Sequence, residues 1–156
     1  MFNIRQCTGV LLLLIAASFA PGAVNPARAA ATDVIPAAVL VQPAELAAEL
    51  KSTPPTILQV GFSKLYEQAH IPGAIYAGPG RTDEGMANLK AQAEKLPRDA
   101  PLVIYCGCCP WNRCPNMGAA YSTLKAMGFT KLRALYIADN FGTDWADKGY
   151  PVARGQ

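Results

Sequence analysis

The net charge of this chain is small, and long apolar runs and histidine are scarce in it. Its 156 residues include 14 basic side chains, 11 acidic side chains and one histidine. So small an excess of positive charge gives no reason to expect a nucleic acid or an anionic membrane surface as the partner. The longest apolar run lies near the N-terminus and spans about 12 residues, short of the ~20 that a membrane-spanning helix needs. The length and the 51% hydrophobic content indicate one globular domain.

The N-terminal region has the layout of a secretory signal peptide. Arg5 precedes the apolar run, and small residues follow it as far as Ala29. We predict a signal peptide over residues 1–29, cleaved after Ala29 or Ala23, and a periplasmic or otherwise exported mature protein. Cleavage removes Arg5 and Arg28, which leaves 12 of the 14 basic residues against 11 acidic ones. A membrane attachment is expected only through a signal that stays uncleaved.

Strand and helix patterns alternate after a predicted linker over residues 30–37. Near-continuous apolar runs are typical of parallel strands covered on both faces, and segments with helical spacing separate them. We predict an α/β domain over residues 38–153, with a central parallel five-stranded sheet flanked by helices on both faces. Its site should lie beyond the carboxyl ends of the strands. The predicted strands are 38–41, 57–60, 74–77, 102–105 and 132–137. The predicted helices are 43–51, 63–68, 84–96, 117–127 and 142–148. Asp83 is the predicted cap of helix 84–96, and Asn140 is the predicted cap of helix 142–148.

Four of the five cysteines fall within nine residues, directly after the predicted strand 102–105. Cysteines in one turn close only small loops, so disulfides there would add little stability. A loop between a strand end and a helix N-terminus can instead direct backbone N–H groups at a thiolate or an oxyanion. Arg113 in the same turn adds a positive charge that can bind a sulfate-like group through two N–H groups. The four cysteines are Cys106, Cys108, Cys109 and Cys114.

Three uses of this cluster are open on the residues alone: sulfur transfer by a nucleophilic thiolate, disulfide or redox chemistry, and metal binding. Structural zinc sites usually take cysteine pairs from two separated segments. This chain offers one segment, so soft copper(I) on Cys-x-Cys-Cys fits better than zinc. A thiol–disulfide oxidoreductase would use Cys106 and Cys109 as a Cys-x-x-Cys pair, but the thioredoxin-like order of elements is missing. We predict sulfur transfer, with no resident metal and no cofactor.

Three motifs resemble the rhodanese-like domain family. Residues 65–75 are similar to its E-y-x-x-G-H-I-P-G-A signature, and residues 128–152 are similar to its lGf…W…aGyPV ending. Between them, Cys106 stands at the strand end where that family carries its catalytic cysteine. The resemblance covers residues 38–153 and implies the α/β fold described above. It also implies that His70 belongs to a structural turn and is not a general base.

The resemblance implies a sulfurtransferase that needs no cofactor. A cysteine thiolate would take the sulfane sulfur of a small anionic donor such as thiosulfate. The resulting persulfide would pass that sulfur to a thiol, a protein acceptor or cyanide. Cys109 and Cys114 are candidate resolving thiols. The predicted substrate-binding residues are Arg113, Gly107, Asn112 and Trp111, the last either as a lid over the sulfur or as packing against the end of the sheet.

The active loop departs from the family pattern of a cysteine, four residues and an arginine. Six residues separate Cys106 from Arg113, whereas four separate Cys108 from it. Strand position favours Cys106 and loop spacing favours Cys108, so both are candidate nucleophiles. Related phosphatases have five residues between the cysteine and the arginine, and the residue of this chain at that offset from Arg113 is Gly107. The Asp and Arg usual after the second strand are replaced by Gln59 and Gly61.

Overall fold

The computed structural model describes residues 32–155, and the predicted signal peptide lies outside them. Within this range the chain forms five strands and four α-helices. None of these helices is both long and apolar enough to cross a bilayer. The strands are β1 (Leu40–Val41), β2 (Thr56–Gln59), β3 (Ile75–Tyr76), β4 (Leu102–Tyr105) and β5 (Leu132–Leu135). The α-helices are α1 (Pro43–Glu49), α2 (Ser63–Gln68), α3 (Asp83–Glu94) and α4 (Met117–Ala126), and short 3-10 helices (Ala37–Val39, Trp111–Arg113) and a π-helix (Gly142–Ala146) complete the fold.

The five strands form one parallel sheet with the order β1-β5-β4-β2-β3, so β4 is central. Side chains on β4 alternate between the two faces of the sheet. Leu102 and Ile104 pack in the core under α3 and α4. Val103 and Tyr105 pack in the core under α1 and the π-helix. The predicted parallel five-stranded sheet with helices on both faces is therefore confirmed.

Element bounds differ from the predicted ones by a few residues. The first strand starts at Leu40, because Ala37–Val39 form a 3-10 turn. The predicted cap of α3 is wrong. The Oγ1 atom of Thr82 accepts the N–H of Gly85 at 3.1 Å, so Thr82 is the N-cap, and Asp83 is the first helical residue. A hydroxyl at the residue before the helix reaches the third helical amide, which explains the difference.

His70 is part of a structural turn, as the resemblance implies. Its Nδ1–H donates to the carbonyl oxygen of Tyr66 at 2.7 Å. The two rings stack with their centroids 3.8 Å apart. The backbone of His70 also pairs with that of Ala153 and ties the end of the chain to the domain. The imidazole is buried, and these contacts give it a structural role.

Candidate active site at the end of the central strand

Cys106 directly follows β4 and continues its alternation. Its side chain therefore faces the same core as Leu102 and Ile104, and the residue is 3% exposed. The Nε2 atom of Gln59 donates to the Cys106 carbonyl oxygen at 3.4 Å. The turn after β2 approaches so closely that a Cβ on Gly61 would lie 3.2 Å from the Cys106 sulfur. The ends of β2 and β4 together hold Cys106 in place.

Three sulfur atoms converge beyond the end of β4. The Sγ atoms of Cys106 and Cys108 lie 3.0 Å apart. Those of Cys106, Cys108 and Cys114 all lie within 4.8 Å of one another. The sulfur of Cys109 is 3.1 Å from that of Cys108 but is not a member of this group. All four thiols are free. We refer to Cys106, Cys108 and Cys114 as the sulfur triad.

Asn116 connects the sulfur triad to the start of α4. The residue is fully buried. Its Oδ1 accepts the backbone N–H of Arg81 at 3.2 Å. Its Nδ2 donates to the sulfurs of Cys106 and Cys108 at 3.2 and 3.7 Å. Sequence reasoning missed this residue, because an asparagine before an amphipathic helix is typical of an N-cap, and no local signal shows its side chain turning back to the sulfurs.

Cys114 is the thiol of the cluster whose pKa is lowered. Hydrogen bonds from the thiols of Cys106 and Cys108 lower the pKa of Cys114 to about 3, and the backbone N–H groups of Asn116 and Met117 add to this effect. The contact with Cys108 lowers the pKa of Cys106, but the contact with Cys114 and burial outweigh it and raise that pKa to about 12. These contacts therefore favour ionisation of Cys114 over ionisation of Cys106.

A cavity of about 340 Å³ lies beside Cys106 and Cys108. Its lining residues, all within the described part of the chain, include no arginine or lysine. A ligand in this cavity would meet sulfur atoms, apolar side chains and amides. The amide-bearing side chains of the lining are Gln59, Gln68 and Asn140.

The four predicted substrate-binding residues divide between two places. Gly107 lines the cavity beside Cys106. Trp111, Asn112 and Arg113 instead line a separate cavity of about 450 Å³. The N–H of Trp111 donates to a carbonyl oxygen just after β5 at 3.0 Å, which holds the 3-10 turn away from the first cavity. The structure thus does not bring Arg113 into the cavity beside Cys106.

Trp111 packs against the edge of the site. Its ring centroid lies 5.3 Å from that of Tyr136, and the side chain is partly buried. The indole also borders a void of about 10 Å³ that touches Cys106, Cys109 and Cys114. A void of this size holds about one small guest the size of a water molecule. Of the two sequence-based alternatives, this placement favours packing.

Gln59 contains a buried polar atom without a partner. The residue is 2% exposed. Its Oε1 accepts no hydrogen bond from the described residues 32–155. A buried acceptor left unpaired costs about 1–3 kcal/mol. Because Gln59 also lines the cavity beside Cys106, a ligand that donates an N–H or O–H could satisfy this atom.

The sequence model of the Rhodanese-like domain family matches residues 42–138. The chain belongs to this family. The match confirms the resemblance seen in the three motifs and places the sulfur triad in a rhodanese-like domain. No curated protein matches the chain.

Solved structures of similar shape agree with this assignment. The Alr3790 protein from Anabaena sp. is 19% identical with a TM-score of 0.58, over 74% of this chain and 92% of that one. The BH2092 protein from Bacillus halodurans is 19% identical with a TM-score of 0.56, over 73% of this chain and 75% of that one. Protein hp1203 from Helicobacter pylori 26695 is 14% identical with a TM-score of 0.52, over 76% and 91%. At these identities the likeness shows the rhodanese-like fold.

Proposed function

We propose that this rhodanese-like domain is a sulfurtransferase that carries sulfane sulfur as a persulfide on Cys106. The position of Cys106 carries the proposal. Cys106 directly follows the central strand β4 and lines the cavity of about 340 Å³. Ligands of parallel α/β sheets bind at this edge. Cys108 lines the same cavity, but β4 and the 3.2 Å hydrogen bond from Asn116 hold Cys106 more firmly. Cys114 does not line this cavity and has no direct access to a donor there.

In the proposed reaction the Cys106 thiol loses its proton to solvent, because the lowered pKa of Cys114 makes that neighbouring thiolate a poor base. The Cys106 sulfur then attacks the sulfane sulfur of a thiosulfate-like donor. The donor's S–S bond breaks, and its electron pair leaves with sulfite. A thiol or a protein acceptor attacks the outer sulfur of the persulfide and restores Cys106. Two half-reactions through one covalent intermediate predict ping-pong kinetics.

Amide groups are proposed to hold the donor's oxygen atoms. Gln68 and Asn140 line the cavity beside Cys106. Arg113 is exposed and lines the other cavity, so we give it no contact with the donor. Loss of one neutral hydrogen bond of about 1 kcal/mol corresponds to a KM about fivefold higher.

Intact-protein mass spectrometry tests the proposal. Reduced protein incubated with thiosulfate should gain one sulfur atom, which cyanide should remove. Cys106→Ser should gain none, and Cys109→Ser, the matched control outside the sulfur triad, should load like the unaltered protein. If Cys108→Ser is the one variant that fails to gain sulfur, the nucleophile is Cys108 and not Cys106. Unaltered protein that takes up no sulfur from thiosulfate would overturn the proposal.

The donor contacts have their own test in steady-state kinetics with thiosulfate. Gln68→Ala should raise KM about fivefold, as expected for one lost hydrogen bond. Arg113→Gln should change KM by less than about twofold, because Arg113 lines the other cavity. A twofold change in KM corresponds to less than ~0.5 kcal/mol. The opposite order would show that the guanidinium reaches the donor.

We also propose that the enzyme acts after export. The proposal is supported by the signal-peptide layout of residues 1–29, which lie outside the described residues. Mass analysis of protein recovered from cells should find a chain that starts at residue 30 or 24. A recovered chain that still starts at Met1 would contradict export with cleavage.

A further inference from the structure

The sulfur triad is a ligand set made of sulfur alone. Its three Sγ atoms lie within 4.8 Å of one another, and no histidine, aspartate or glutamate among residues 32–155 belongs to the group. Thiolate ligands select soft ions such as copper(I), whereas imidazole and carboxylate ligands suit harder ones. The chemistry of the donors therefore indicates a soft ion.

Three sulfurs form one group that can surround an ion. Sulfurs placed around an ion in one plane, at a metal–sulfur length of about 2.3 Å, stand about 4 Å apart. The 3.0 Å contact between Cys106 and Cys108 would have to open by about 1 Å to reach this spacing. A tetrahedral zinc site would need a fourth ligand. Cys109 touches the sulfur of Cys108 but lies outside the group of three.

An amide N–H group already points at two sulfurs of the triad. The Nδ2 of Asn116 donates to Cys106 and Cys108. Hydrogen bonds of this kind orient metal ligands and stabilise the negative charge that thiolates keep in the complex. The described lining holds no cationic side chain that a bound cation would meet.

The site is buried yet accessible from one side. Cys106 and Cys114 are 3% and 2% exposed, and they border the void of about 10 Å³. Cys108 is partly exposed and lines the larger cavity. An ion can therefore reach the triad through Cys108 and end among sulfurs that are shielded from water.

We propose that Cys106, Cys108 and Cys114 bind one copper(I) ion through three sulfurs, with Cys109 outside the coordination shell. Cys106 and Cys108 release their protons to solvent when they bind, and copper stays in the cuprous state, so no electron is transferred. The ligand set differs from the Cys-x-Cys-Cys run that the sequence indicated, because Cys114 replaces Cys109. Since the site includes Cys106, bound copper and persulfide exclude each other.

Anaerobic titration of the reduced full chain with copper(I), against a chromogenic cuprous chelator such as bathocuproine disulfonate, tests the site. We expect one ion per chain. Cys106→Ser, Cys108→Ser and Cys114→Ser should each weaken binding by more than about tenfold, since even the loss of a hydrogen bond to a metal ligand costs this much. Cys109→Ser is the matched control and should bind within about twofold of the unaltered protein, a change below ~0.5 kcal/mol.

X-ray absorption on the copper-loaded, unaltered protein counts the ligands without any variant. Three sulfur neighbours and no nitrogen or oxygen are expected. Two sulfurs, four sulfurs, equal loss in Cys109→Ser or no copper retained against the chelator would each overturn the proposal. Sulfur loading of the metal-free protein is measured separately. Copper binding without sulfur loading would remove only the sulfurtransferase proposal, and loading without copper binding would remove only this one.

Discussion

Gly61 shows how closely the backbone packs around the sulfur of Cys106. A Cβ at this position would lie 2.7 Å from Nε2 of Gln59, 3.0 Å from the carbonyl oxygen of Cys106 and 3.2 Å from its sulfur. These distances leave no room for a side chain without moving Cys106. The glycine stands where the family usually carries an arginine, so this departure is tied to the packing of the site.

Gly61→Ala should therefore slow sulfur loading from thiosulfate by at least about tenfold, because small displacements of reacting groups cost up to ~10²-fold in rate. Quenched samples analysed by intact mass give the rate. Gly73→Ala is the control. Gly73 has φ +76 and nothing within 4 Å of an added Cβ. This variant should lose about 1–2 kcal/mol of stability through backbone strain and load at the normal rate. Normal loading by Gly61→Ala would contradict the tight packing.

The start of α3 depends on one hydroxyl and supports the site from outside. Thr82 accepts the N–H of Gly85 and donates to the carbonyl oxygen of Pro79 at 3.2 Å. The same loop continues from Gly80, where a Cβ would lie 2.5 Å from the carbonyl oxygen of Asn116. The cap thus fixes a loop that packs on the residue holding the sulfur triad.

Thr82→Ala should lower the free energy of unfolding by about 1 kcal/mol, the usual effect of losing an N-cap. Asp83→Ala provides the comparison, because this carboxylate acts only through the helix dipole and contributes about 0.3–1 kcal/mol. Urea unfolding of both variants gives the two values. A larger loss of stability in Asp83→Ala than in Thr82→Ala would show that Asp83 is the cap.

At the scale of the folded domain, an ion pair joins α1 to β5. Both terminal nitrogens of Arg133 donate to the carboxylate of Glu49, at 2.7 and 2.6 Å. The hydrogen bonds from Arg133 lower the pKa of Glu49. Each side chain is about one-third exposed (32% and 33%), so water screens the pair and its contribution stays below ~1 kcal/mol.

A carboxyl whose pKa is lowered by folding stabilises the protein above its unfolded pKa. This stability disappears as pH falls through the lowered folded-state value. Glu49→Gln should therefore be less stable than the unaltered protein at pH 7 by up to ~1 kcal/mol, and the difference should be smaller at pH 3. Urea unfolding at the two pH values measures the difference. A gap that does not narrow in acid would show that the charge of Glu49 is not its cause.

Patterns confined to one element determined the fold and the strand-end cysteine. The apolar run 102–105 has the bounds of β4, because a strand buried on both faces needs apolar side chains at every position. Alternating strands and helices then required a parallel sheet, with its site at the carboxyl edge where Cys106 follows β4. These features depend on neighbours in the chain, which the sequence displays directly.

Only the tertiary structure decided which groups meet at that edge. Asn116 reaches the sulfurs because its amide is held by Arg81, 35 positions earlier in the chain. Cys114 joins the triad in place of Cys109, and the turn carrying Arg113 is tied to the chain after β5 and so lines another cavity. Contacts of this range depend on how whole elements pack together, and residue spacing within a single loop carries no record of that packing.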